Sequence, residues 1–130
     1  MILILLNFFV SGILAIMLFF SFAIAPVIFK SLDETNARNF IRKIFPYYYL
    51  INLILSILAL TCFLISKSFN VDFYLILVVA ILFALSNFLL MPIINRFRDS
   101  KETKKFHFSH GLSVVINLVQ MILLSIVLFI

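Results

Sequence analysis

Four long apolar runs, separated by short charged stretches, organise this chain. They extend approximately from Ile2 to Phe29, Tyr47 to Ser66, Phe73 to Asn95 and Phe106 to Ile130. Each is long enough to cross a hydrocarbon core of roughly 30 Å, which takes about 20 apolar residues at a rise of 1.5 Å per residue. A backbone amide in hydrocarbon finds no water to bond, so runs of this kind must be helical. The pattern predicts an all-α integral membrane protein: a four-transmembrane-helix bundle forming a single transmembrane domain over residues 1–130.

The connections refine that picture. Lys67 to Asp72 is so short that the second and third helices must be antiparallel neighbours. The first connection predicts a short amphipathic interfacial helix. Ser31 and Glu34 have capping-box spacing there, and Leu32, Ala37, Phe40, Ile41 and Ile44 return at helical intervals. Pro46 is expected to break the chain before the second span, with Tyr47, Tyr48 and Tyr49 forming an aromatic belt at headgroup level.

Composition excludes a soluble fold. Hydrophobic residues fill 65% of the 130 positions, charged residues 12%, and mean hydropathy is +1.28. The formal charge of +5 does not point to nucleic acid, because the basic residues sit in short stretches between apolar runs rather than on a folded face. The lipid bilayer is the first partner. Cys62 is the one cysteine, which rules out an internal disulfide and a Cys-rich metal motif. Met1 to Phe29 carries no side-chain charge and is roughly twice the length of a signal core, so it is expected to remain as a span.

The two halves echo one another. Pro26-Val27-Ile28 with Lys30 resembles Pro92-Ile93-Ile94 with Arg96, and Ile51-Asn52-Leu53 resembles Ile116-Asn117-Leu118. A duplicated helical hairpin would relate the halves by an axis along the membrane normal.

No Asp, Glu, Lys or Arg falls centrally within a run, and this counts against a proton-driven pump. Uncharged polar residues do fall there: Ser21, Asn52, Ser56, Ser86, Asn87, Ser113, Asn117 and Gln120. Counted from the flanking basic residues, Ser21, Asn52, Asn87 and Asn117 all lie about 13 to 18 Å into the membrane. An amide facing lipid would leave donors and acceptors unmet, so the four are expected to point inward as one layer. That layer serves either as interhelical glue, worth roughly 0.6 kcal/mol per bond, or as a site for a ligand.

His107 and His110 occupy one side of the fourth helix, and His110 leads through Ser113 to Asn117 and Gln120. The candidate ligand-binding seam is therefore His110, Ser113, Asn117, Asn52, Asn87 and Ser21. Gly111 would let a backbone or ligand approach closely. A metal site within one subunit lacks ligands, and Met17, Met91 and Met121 read as packing residues. The residues themselves predict no cofactor.

Phe22-Ala23-Ile24-Ala25-Pro26-Val27-Ile28-Phe29, Phe45-Pro46-Tyr47-Tyr48, Asn52, Arg98-Asp99 and His110-Gly111-Leu112-Ser113 with Asn117 together resemble the transmembrane protein 205-like family. That resemblance implies a small four-helix membrane protein carrying a domain of unknown function. It is also distantly similar to the copper-resistance D superfamily and the membrane protoporphyrinogen oxidases, whose chemistry depends on haem-linked histidines. The leading expectation is a non-enzymatic bundle that binds or passes a small or lipidic ligand through the seam. A structural or assembly subunit of a membrane complex and a haem-dependent membrane oxidoreductase, assembled as a homo-oligomer, are the alternatives.

Orientation follows from charge. Lys30, Arg38, Arg42 and Lys43 lie in the first connection and Arg96, Arg98, Lys101, Lys104 and Lys105 in the third, nine of the ten basic residues. Cytoplasmic loops hold such an excess, which places both termini on the non-cytoplasmic side. Single cysteines introduced over residues 98–105 should therefore be shielded from an impermeant thiol reagent in intact cells, and labelling from outside would reverse the topology.

Overall fold

The computed structural model describes residues 1–130. Four helices make up almost the whole chain: α1 (Ile2–Ser31), α2 (Glu34–Ser66), α3 (Val71–Asp99) and α4 (Thr103–Phe129). All four are long and apolar enough to cross a membrane, and the chain is a multi-pass integral membrane protein. Each helix packs on its neighbours in sequence, and α1 also packs on α4, which closes a four-membered ring. Exposed side chains such as Phe8, Phe22, Ile54, Ile81 and Leu118 cover the outside, as hydrocarbon requires.

The interior is built by packing rather than by escape from water, since lipid tails are as apolar as leucine. Val10, Ile13 and Met17 of α1, Ala59 of α2, Ile76, Val79 and Phe83 of α3 and Leu124 of α4 are completely buried together. Short connections hold these faces in register. Lys67 takes a left-handed conformation with φ of 52°, and the Ser68 amide donates back to the Phe63 carbonyl at 3.0 Å, which ends α2. The Asn70 side chain then accepts from the Phe73 amide at 3.2 Å and starts α3.

The expected separate interfacial helix is not present. Residues 34–45 are instead the first turns of α2, and the helix runs through Pro46 without ending. The apolar face of this segment has a better place than the membrane surface: Ala37 and Ile41 pack on Ile28 of α1, with Ile24 and Phe45 around them. Ser31 closes α1 rather than capping α2, whose cap position is Asp33. At about 50 Å, α2 is longer than the hydrocarbon core, so its N-terminal turns project to headgroup level and beyond.

Two π-helical turns interrupt the regular winding, at Phe20–Ile24 in α1 and Ser86–Leu90 in α3. Each ends two residues before a proline, Pro26 or Pro92, which lacks the amide that an α-helix would use. In each, an amide reaches five residues back: Ala25 to the Phe20 carbonyl, Met91 to the Ser86 carbonyl. The same device at corresponding places in both hairpins supports the duplicated-hairpin reading.

Beyond its π turn, α1 parts from α4. The Ile2–Phe19 portion packs extensively on α4, whereas Ala25–Ser31 packs on α2, and the corresponding Met91–Asp99 portion of α3 stays on α4. A gap therefore opens between α1 and α4 at the end of the bundle that carries the first and third connections.

Packing predicts two opposite responses in detergent melts. A Cβ added to Gly12 would meet Leu55 at 3.9 Å, an ordinary contact, so Gly12→Ala should stabilise by up to about 1 kcal/mol through helix propensity. Ala59 is fully buried in the core cluster, and Ala59→Leu should cost about 1 to 3 kcal/mol by overpacking. A lower melting temperature for the glycine variant would contradict the packing described.

Candidate functional site

A cavity of about 300 Å³ lies at the end of the bundle near the first and third connections, and all four helices line it. Its walls are apolar and aromatic: Phe20, Ala25 and Phe29 of α1, Phe45 of α2, Met91 and Ile94 of α3, and Val114 of α4. The lining residues most open to the surroundings, Phe29, His110 and Val114, belong to α1 and α4. The mouth thus coincides with the gap between those two helices and faces the bilayer.

At the inner end, three polar side chains form a relay. The Tyr48 hydroxyl donates to Asn117 Oδ1 at 2.7 Å, and Asn117 Nδ2 donates to Ser21 Oγ at 3.3 Å. Tyr48 and Tyr49 are buried, and only Tyr47 of the triplet keeps the expected outward position. Tyr48 stacks against Phe20 with ring centroids 4.5 Å apart, and Phe45 lies nearly parallel to Tyr49 at 5.6 Å. These rings fix the phenol where Asn117 can accept its proton.

Arginines stand at the opposite end. Arg42 Nη2 donates to Asp99 Oδ1 at 2.5 Å and to the Asn95 carbonyl at 3.3 Å, tying α2 to α3. Arg98 has no carboxylate partner. Its guanidinium sits 4.4 Å from the Phe106 ring centroid, and its buried Nε meets no acceptor. The His110 ring stacks on the same Phe106 at 5.7 Å and 11°. Arg42 precedes the Asn52 level by about 15 Å, half the hydrocarbon thickness, so these cations lie at headgroup depth.

The structure divides the candidate seam. His110, Ser113, Asn117 and Ser21 line the cavity; Asn52 and Asn87 do not. Ser113 Oγ donates to the His110 carbonyl at 2.6 Å, so its proton serves its own helix. Asn52 is fully buried away from the cavity with both amide atoms unpartnered, while Ser56 bonds its backbone carbonyl at 2.8 Å. Asn87 is half-buried, and its neighbour Ser86 takes the interior position. Gln120 continues the stripe into the core, where Nε2 donates to the Val79 carbonyl at 3.1 Å and Oε1 is unpartnered. A Cβ on Gly111 would meet nothing within 4 Å, so no backbone of this chain uses the space it leaves.

Tyr48, Arg42 and Arg98, expected in the aromatic belt and the charged connections, also line the cavity, as does Asn95. Tyr48 lies one turn before Asn52, and that spacing would have turned it inward. The arginines gave no comparable signal, because each reads as a loop charge. His107 and His110 share α4, and no three His, Cys, Asp or Glu side chains come together. Axial bis-histidine ligation of a haem would thus require an imidazole from a second copy.

Comparisons with known proteins place this architecture in a family without assigning it an activity. No solved structure matches the chain. An uncharacterized protein of Aquifex aeolicus (strain VF5) is 31% identical over 105 residues, covering 81% of this chain and 77% of the relative. The family model described as a domain of unknown function, DUF4149, matches residues 8–103. With most of its length inside that match, from the first span to the start of the fourth, the chain belongs to the DUF4149 family.

Proposed function

We propose that this protein binds a lipidic ligand in the cavity between its four helices, with entry from the bilayer through the gap between α1 and α4. The observation that carries the reading is the joining of apolar walls to the Tyr48–Asn117–Ser21 relay in one membrane-facing space. Binding pockets of this kind are mostly apolar, with a few polar groups that fix orientation. His110 at the mouth and Asn117 at the inner end are the seam residues assigned to the ligand. Asn52 and Asn87 belong to packing in this reading.

The chain acts as one transmembrane unit, with the cavity in its cytoplasmic half because the basic connections lie there. Kinship with the transmembrane protein 205-like family is part of the proposal and rests on the motifs shared along the chain. No carboxylate lies in the cavity wall, which favours a binder or conduit over a proton-coupled pump.

Native mass spectrometry from mild detergent tests this directly. The wild-type protein should retain a lipid adduct, and Val114→Trp, which places a large ring at the mouth, should lose it with little change in melting temperature. A wild type without adduct, or an adduct that survives in the Trp variant, would refute the reading. A stoichiometric membrane polypeptide co-purifying with a lipid-free bundle would identify an assembly subunit instead. Tyr48→Phe removes one bond of the relay and should lower stability by only about 0.6 kcal/mol, while Asn117→Leu should abolish adduct retention.

A further inference from the structure

A second hollow adjoins the cavity. It is lined entirely by polar side chains, Thr35, Arg38, Asn39, Arg42, Arg98 and Asp99, and has a volume of about 260 Å³. Arg42 and Arg98 line both spaces, so the two meet at a pair of guanidiniums. One side of that junction is aromatic and aliphatic; the other carries three arginines from the projecting ends of α2 and α3. From this geometry we infer that the ligand is an anionic lipid with a phosphate head group, its tail in the cavity and its phosphate in the arginine hollow. The inference rests on the lipid-binding reading above and adds the class of head group.

Charge balance selects the anion. Arg38 is paired with Glu34 on its own helix and Arg42 with Asp99 across the bundle, so the two acids near the hollow are engaged and Arg98 makes no ion pair of its own. Its Nε is desolvated and unpartnered, and an unmet buried donor of a charged group is costly unless an acceptor comes to it. Phosphate presents several acceptor oxygens to the planar fork of a guanidinium, and the neighbouring Thr35 and Asn39 side chains add neutral donors. Depth agrees as well: these residues stand at the edge of the hydrocarbon core, where the phosphate of a lipid resting in its own leaflet lies. A ligand with a neutral head would leave Arg98 unmet. A soluble anion would leave the apolar cavity unused.

The test compares lipids with identical acyl chains, phosphatidic acid and diacylglycerol, with inorganic phosphate as a third probe, by native mass spectrometry of the full chain in mild detergent. Wild type should retain phosphatidic acid about tenfold better than diacylglycerol, the difference expected of charge-assisted hydrogen bonds. Arg98→Gln should bring phosphatidic acid down to the level of diacylglycerol in the same variant, and a melting temperature in detergent close to wild type shows that variant to be folded. Arg38→Gln, at an exposed position on the outer turns of α2, should reduce the preference in part. Equal retention of both lipids by wild type would overturn the phosphate assignment and leave the lipid cavity standing. Loss of both lipids from wild type would overturn the two readings together. A preference that survives in both arginine variants, or stabilisation by inorganic phosphate equal to that by phosphatidic acid, would also overturn it.

Discussion

A polar group inside hydrocarbon has only the protein to bond with, and nearly every feature of this bundle descends from that constraint. It forces the backbone into helices, turns phenylalanines and leucines outward, and draws the few amides and hydroxyls inward. Serines at positions 56, 66, 109, 113 and 125 satisfy themselves on carbonyls of their own helices and need no partner across the bundle. Among the amide and hydroxyl side chains, Ser21, Tyr48, Asn117 and Gln120 form hydrogen bonds between helices, and Arg42 adds the charged tie from α2 to α3.

The same constraint makes the prolines consequential. A proline leaves one carbonyl without its amide, and the chain winds a π turn before Pro26 in α1 and another before Pro92 in α3, whereas α2 carries Pro46 in regular α-helix. The outcome differs between the halves. The end of α3 stays against α4, and the end of α1 departs from it toward α2, where Ile28 meets Ala37 and Ile41. That departure opens the cavity, and the docking that causes it also makes the amphipathic segment a continuation of α2.

The likeness between the two halves is thus broken where the cavity forms. Asn117 is bonded on both sides and looks into the cavity, whereas its counterpart Asn52 is sealed into the core with an unpartnered amide. Both stand in an Ile-Asn-Leu triplet, Ile51-Asn52-Leu53 and Ile116-Asn117-Leu118. What distinguishes them is the neighbour supplied by the facing helices: Tyr48 and Ser21 for one, close-packed apolar groups for the other.

Much of the fold was legible in the sequence because hydropathy acts residue by residue. The four runs and the polar layer near the bilayer middle follow from how single side chains partition between water and lipid, and the antiparallel pairing of α2 with α3 follows from their short connection. The inward positions of Asn117 and Ser21 were legible too, since polar residues at that depth must find partners within the protein. The division of the layer into a cavity floor and a buried remainder was not legible, nor were the inward turn of Tyr48, the fusion of the first connection with α2, or the meeting of Arg42 and Arg98. Each depends on which faces of separate helices come together. Periodicity assigns a residue to one side of its own helix, but the partner on that side is chosen by how the helices cross, and here the end of α1 packs on α2 while the end of α3 stays on α4.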